Sequence, residues 1–433
     1  MSRSIFSKLV YTSVALVLLV SGRVHAEGYE ELYRDHRDSL YQIRIIEKSS
    51  NSKSGLGSGF QIRADGLVAT NYHVIAEFIR HPGKYRLEYL MEDGSKGKLE
   101  LLDVDVINDL ALLRHDEAGR DFLALAEETP RRGEIIVAMG NPLDLGTTVV
   151  PGTYNGIASG SFYDRIHFSG SVNPGMSGGP VINTRGEVVG INVATAGNQI
   201  SFLVPVDKLA KLKRDYEQRQ APVSDFKKVI YKQLKDNQQH IMDNVLSADW
   251  QRRQLGNAYV VGEVVPAIKC WGRSSEEDED NPVRRIDKGC TGQDTVYLAD
   301  EFNTGRVEYE FFWLDASDLS PTRFYSEYER QMSSFFPGNR AGEDDVSNFQ
   351  CQQQFTEQPR TSKEQAEESP VIARTTYCVR RYRDYPDLYD IFYLSLTVDH
   401  DNQGLVSHFT LSGFTRESAD AFTRKFTSEI QWH

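Results

Sequence analysis

Between Tyr41 and Val204 the apolar residues come in short runs separated by turn residues. Examples are Tyr41–Ile46, Gly59–Ile62, Leu67–Asn71, Arg86–Met91, Ile135–Met139, Val188–Val193 and Ile200–Val204. Their spacing and glycine-rich punctuation predict an all-β sandwich or barrel and argue against alternating βαβ units. No cysteine occurs before Cys270, so this core must hold without disulfide staples.

After Val204 the period changes. Leu209, Leu212 and Tyr216 fall at i, i+3 and i+7, which predicts a helix over 206–216. A polar stretch with Pro222 follows and marks a boundary. The predicted organisation is 1–26 signal peptide, 27–40 N-terminal arm or helix, 41–218 β domain, 219–224 linker and 225–433 C-terminal α+β domain. In that last region Phe226, Ile230 and Leu234 share one helical face. Ile391–Val398 and Gly404–Leu411 read as a hairpin. Thr415–Gln431 reads as a closing helix with Phe422, Phe426 and Ile430 on one side.

The N-terminus reads as an export signal. Arg3 and Lys8 precede the apolar run Leu9–Val20, and Val24-His25-Ala26 resembles a small-residue cleavage site. The run is short for a membrane span, so no stable membrane insertion is expected after cleavage. Export implies an oxidising compartment, either periplasmic or secreted. Cys270, Cys290, Cys351 and Cys378 then read as two disulfides. Three pairings are open, and short loops favour Cys270–Cys290 with Cys351–Cys378. Net charge is −13, which argues against nucleic acid as a partner. The histidines outside the segments below show no ligand spacing. The acidic run Glu276–Asp280 reads as a solvated loop, and neither a metal nor a cofactor is expected.

Three segments carry chemistry. They are Ala69-Thr70-Asn71-Tyr72-His73-Val74 behind Gly57-Ser58-Gly59-Phe60, then Asn108-Asp109-Leu110-Ala111-Leu112-Leu113, then Asn173-Pro174-Gly175-Met176-Ser177-Gly178-Gly179-Pro180. A serine hydroxyl needs a base within hydrogen-bond reach. Imidazole suits, with an ordinary pKa of about 6.5. A carboxylate holds the imidazole tautomer and stabilises the imidazolium. His73, Asp109 and Ser177 are the candidate set. Asp103 and Asp105 read as solvated strand positions. The glycines beside Ser177 allow close backbone approach, so the N–H groups of Gly175, Met176 and Ser177 are candidate oxyanion donors.

In their order and wording these segments resemble trypsin-like (chymotrypsin-fold) serine peptidases, closest to the bacterial HtrA-like branch. That branch carries "TNxHV", "DLAxL" and "NPGxSGGP" patterns, matched here by Thr70–Val74, Asp109–Leu113 and Asn173–Pro180. Gly186–Asn192 and Ile200–Pro205 are similar to its last strands. The likeness spans about residues 55–210. It implies a double six-stranded β-barrel and a serine endopeptidase acting on polypeptides through an acyl-enzyme. It also implies a specificity pocket from Ser171, Val172, Asn192, Val193 and Ala194, with a small or medium apolar residue before the scissile bond. Three departures stand out. Met176 replaces the residue that in digestive trypsins is Asp, so activation by a newly cut N-terminus is not expected. Ser169 stands where the family often has Asp. No PDZ domain is recognisable after residue 220. A homo-oligomer built through the 27–40 arm rests on analogy. The alternatives are a binding protein or holdase with an idle triad, and an acyl hydrolase using the same three residues.

Overall fold

The computed structural model describes residues 27–116, 121–142, 145–195, 200–275, 283–292, 294–316, 319–332, 335–358, 370–398 and 402–432. The signal segment, Glu276–Asp280 and residues 399–401 between the two hairpin strands lie outside the described residues. The chain divides into two compact units. The first holds residues up to Asp103, then Leu110–Ile157 and Ile166–Pro222. The second holds Val104–Asp109, Ala158–Arg165 and the residues from Val223 on.

The first unit opens with helix α1 (Glu27–His36). Strands β1 (Leu40–Glu47), β2 (Lys53–Arg63) and β3 (Leu67–Thr70) lead into helix α2 (Tyr72–Arg80). Then come β4 (Tyr85–Leu90), β5 (Lys96–Lys98), β6 (Glu100–Asp105) and β7 (Leu110–Arg114). These seven strands form one sheet in the order β5-β4-β1-β2-β3-β7-β6. Strands β8 (Ile135–Gly140), β9 (Thr148–Ile157), β10 (Ile166–Phe168), β11 (Pro180–Ile182), β12 (Val188–Thr195) and β13 (Ser201–Pro205) follow. They close into a barrel ordered β10-β13-β12-β11-β8-β9. Two six-stranded barrels were expected: the second set of strands closes, and the first is a seven-stranded sheet whose end strands, β5 and β6, are separated in sequence by Leu99 alone. In the first sheet β5 pairs with β4 at Glu88↔Lys98 and Leu90↔Lys96. β5 leads through Leu99, whose N–H donates to the Leu87 carbonyl of β4 at 3.1 Å, straight into β6, so one run of chain supplies both end strands of the sheet.

Alternation sorts the side chains. In β4, Tyr85, Leu87 and Tyr89 are buried while Arg86, Glu88 and Leu90 are less so, the period-2 pattern of a half-buried strand. One core cluster runs from Leu40, Phe60 and Leu112 to Met139, Ile182 and Val204. Helix α3 (Val206–Arg219) lays Leu209, Leu212 and Tyr216 onto it, the three positions that the helical period predicts. Burying each such Leu stabilises the fold by about 1.5–3 kcal/mol. Tyr29, Leu32 and Tyr33 of α1 pack on the same cluster.

In the second unit helix α4 (Phe226–Ser247) starts at Asp225, whose carboxylate accepts from the Lys228 N–H at 3.0 Å. This is the N-cap bond that satisfies one orphan donor. Ile230, Leu234, Ile241, Met242 and Val245 are its buried face. Strands β14 (Arg252–Leu255), β15 (Ala258–Val261), β16 (Ile268–Ser275), β17 (Arg284–Gly292), β18 (Val296–Ala299), β19 (Phe302–Thr304) and β20 (Val307–Asp315) follow. After helix α5 (Pro321–Met332) come β21 (Gln350–Gln358), β22 (Val371–Arg381), β23 (Tyr389–Val398) and β24 (Gln403–Phe414). Helix α6 (Arg416–Ser428) and β25 (Gln431–Trp432) end the chain. The main sheet has seven strands ordered β16-β17-β20-β24-β23-β22-β21. β23 and β24 pair as the hairpin expected from sequence. Thr415 caps α6 by accepting from Ser418 N–H. Phe422 and Phe426 then meet Phe409 with ring centroids 5.1 Å away.

Cys270 bonds Cys290 and Cys351 bonds Cys378, the short-loop pairing. Each bridge joins directly opposite residues, one on β16–β17 and one on β21–β22. Both outermost strands of the sheet are therefore stapled to their neighbours, where fraying would otherwise begin. Among the described residues no helix is long and apolar enough to cross a membrane.

Candidate active site

Ser177 lies on a loop that its own sequence shapes. Asn173-Pro174-Gly175-Met176 makes a type II turn. Pro174 stands at the second position, Gly175 has φ 95° at the third, and Met176 N–H donates to the Asn173 carbonyl at 3.0 Å. Pro and Gly are the residues that turn type favours. Met176 is fully buried among Phe168, Val172 and Val181, and anchors the loop from inside. Gly178 has φ 84°, and a Cβ there would lie 2.3 Å from both the Ser58 carbonyl and Thr70 Oγ1. A Cβ on Gly179 would lie 2.2 Å from the Met139 carbonyl. Only glycine fits either position.

Hydrogen bonds then fix the loop on two sides. Gly178 N–H donates to Asn192 O and Asn192 N–H to Gly179 O, both at 2.9 Å. On the other side stands Ser58. Its N–H donates to the Ser177 carbonyl at 2.8 Å. Its Oγ donates to the Gly175 carbonyl at 2.7 Å and accepts from Asn141 N–H at 2.8 Å. Thr70 Oγ1 donates to the Ser58 carbonyl at 2.7 Å. With its own carbonyl held, Gly175 keeps its N–H free. Neither it nor the Ser177 N–H has a protein acceptor among the described residues. The Met176 N–H, expected as a third oxyanion donor, is spent inside the turn.

His73 is the second residue of α2 and is half-buried. Asn71 holds the N-cap position with extended backbone, and Tyr72, Val74, Ile75, Ala76 and Ile79 are the buried residues of the helix. A Cβ on Gly178 would also lie 2.9 Å from Asn71 N, so the Ser177 loop sits against the start of the helix that carries His73. Asp109 directly precedes β7 with φ 60°. The β3–β7 register pairs Thr70 with Ala111, so the strand end leading to His73 lies beside the start of β7. Asp105 accepts from Asn108 N–H at 3.0 Å and from Asn108 Nδ2 at 2.7 Å, which shapes the turn ahead of Asp109. Gln233 of α4 grips the same stretch, accepting from Val106 N–H and donating to the Val104 carbonyl, each at 2.8 Å. Asp103, read as solvated, is buried and pairs with Arg219 at 2.7 Å.

The expected specificity residues divide by burial. Ser171 is exposed and Val193 half-buried. Val172 lies in the barrel core. Asn192 is fully buried and its amide donates to the Met139 carbonyl at 3.0 Å, so it braces the loop from behind. The Ala194 side chain lies outside the described residues. Ser177 Oγ itself donates to the Val193 carbonyl at 3.4 Å. A cleft of about 200 Å³ opens beside Ser58, Gly140 and Asn141, with Tyr41, Met91 and Thr147 on its walls. Ser58 and the brace by Asn192 escape sequence reasoning, because their partners are remote in the chain. The Gly57-Ser58-Gly59 string was the available signal. Among the described residues no group of three or more His, Cys, Asp or Glu is placed to hold a metal.

The glycine-locked serine loop thus lies against a histidine-bearing helix, in a unit whose second set of strands closes into a six-stranded barrel. Residues 57–191 match the family described as Trypsin-like peptidase domain. Over 185 residues the chain is 36% identical to Serine protease HTRA1 of Xenopus laevis, covering 40% of this chain and 39% of that protein. Over 222 residues it is 29% identical to Serine protease HTRA3 of Homo sapiens, covering 48% of each. The solved serine endoprotease from Yersinia pestis aligns over 45% of this chain and 68% of that chain at 26% identity, with a TM-score of 0.39. The chain thus spans less than half the length of the curated relatives.

Proposed function

We propose that the chain is a serine endopeptidase that cleaves envelope or secreted polypeptides through His73, Asp109 and Ser177. One observation carries this reading: among the described residues the Gly175 and Ser177 N–H groups stand without acceptors, on a turn fixed by glycines and by Ser58. Donors fixed in advance at the site of developing charge are the largest single source of such catalysis. His73 takes the proton from Ser177 Oγ as that oxygen adds to the substrate carbonyl. The oxyanion accepts from the two N–H groups. The C–N bond then breaks, the leaving amine takes the proton from His73, and an acyl-Ser177 ester remains. Water, deprotonated by His73, hydrolyses the ester and restores the serine. Asp109 holds the histidine tautomer and stabilises the imidazolium that forms. The bond from Ser177 Oγ to Val193 is at the long limit and is readily exchanged for one to the base. Ser171 and Val193 carry no negative charge, which supports a small or medium apolar residue before the scissile bond.

That same bond to Val193 favours a second reading, a holdase whose triad is idle. Cleavage of unfolded casein by the mature chain and by Ser177→Ala separates the two. The proposal expects turnover that falls by several orders of magnitude in the variant. Equal cleavage by both proteins would remove Ser177 from the chemistry.

A further inference from the structure

The chain is acidic overall, at −13, yet one face of its first sheet is basic. The strand register sets this. Lys53 pairs with Ile46, and Ile46 with Arg86, forming one row across β2, β1 and β4. Arg44 pairs with Glu88, and Glu88 with Lys98, forming the next row across β1, β4 and β5. Lys96 is two residues from Lys98 and shares its face. The alternate residues Ile43, Ile45, Leu87 and Tyr89 are buried, so the charged rows face outward. Together they line a cleft of about 400 Å³ holding five cations and a single carboxylate, Glu88.

That carboxylate is already engaged by Arg86 Nε at 2.7 Å. The far end of the Arg86 guanidinium is held by Asn51, and Arg44 is held by Gln42. Both guanidiniums are therefore fixed in orientation before any ligand arrives. Lys96 and Lys98 are exposed, and neither ammonium has a partner among the described residues. Like charges on neighbouring strand positions repel, and a multiply charged anion in the cleft would relieve that repulsion.

We propose that this cleft binds clustered phosphate, either as free polyphosphate or as the headgroups of an anionic lipid surface. Fixed guanidinium forks match phosphate oxygens in geometry, and flanking lysines supply point charge. Single carboxylates use less of this charge. The site is separate from the Ser177 loop and does not depend on peptidase activity.

The test uses the full mature chain at low ionic strength, with two probes. One is inorganic tripolyphosphate followed by calorimetry. The other is sedimentation with vesicles of phosphatidylglycerol and phosphatidylcholine, against phosphatidylcholine alone. The double variant Lys96→Glu/Lys98→Glu changes exposed side chains only, and an unchanged urea midpoint confirms its fold. The expected result is binding of at least one phosphate probe that weakens at least about tenfold in the variant and falls as salt rises. Vesicle binding would assign the headgroup as the source, and tripolyphosphate binding alone would assign the free anion. Failure of both probes to bind, or equal binding by variant and parent, would overturn the proposal.

Discussion

Ser58 holds the Ser177 loop through two of its atoms, its backbone N and its Oγ, and the Oγ alone joins two segments remote in sequence, Gly175 and Asn141. Ser58→Ala deletes both side-chain bonds and leaves the part-buried Gly175 carbonyl and Asn141 N–H without that partner. Each unmade buried bond costs about 1–3 kcal/mol. Because the loss falls on the turn that aims the Gly175 N–H, it should appear in kcat more than in KM. We expect kcat to drop about tenfold to a hundredfold with KM nearly constant. Steady-state kinetics on one peptide substrate would check this, and a rise in KM alone would contradict it. Part of the site at this scale was legible in the sequence. Pro174-Gly175 is a local turn signal, and the tightness around Gly178 shows in its flanking glycines. Ser58 and Asn192 were not legible as braces. Their bonds run to residues 117, 83 and 53 positions away, and nothing local in the chain encodes such partners.

At the scale of elements, the helical periods and the stapled edges were readable, because helix faces and short loops are local. Leu209, Leu212 and Tyr216 are buried as their spacing predicts. The strand order of the first sheet was not readable, because it depends on one run of chain splitting at Leu99 into β5, which pairs with β4, and β6, which pairs with β7. The bridges close loops of 20 and 27 residues, so losing either should cost about 3 kcal/mol by the chain-entropy account. Reduction should therefore lower the urea midpoint of the second unit while the cysteine-free first unit keeps its own transition. A shift of both transitions would contradict this assignment.

Helix α1 makes a second element-scale prediction. His36 sits against Gly186, where an added Cβ would lie 2.2 Å from its Nε2. Burial pushes the His36 pKa below its ordinary value, against the opposing pull of Asp35 and Asp121. The undocked helix therefore binds the proton more readily than the docked one. Docking is strongest above about pH 6.5 and weakens as pH falls through the lowered value. Amide exchange in 27–36 should rise on acidification in the parent, and much less in His36→Gln.

For the whole molecule, net charge does not describe any one face. A total of −13 argues against nucleic acid as a partner, yet the register of three strands gathers Arg44, Arg86 and Lys98 on one face. Composition averages over surfaces, and only the fold says which charges share one. The total still fits a polypeptide substrate, which demands no field of one sign. The central claim concerns a single atom, Ser177 Oγ. Treatment of the mature chain with a serine-directed fluorophosphonate, followed by peptide mapping, tests it most directly. The account predicts one adduct, on Ser177, absent from Ser177→Ala and strongly reduced in His73→Ala. An unlabelled parent, or an adduct that survives Ser177→Ala, would contradict it.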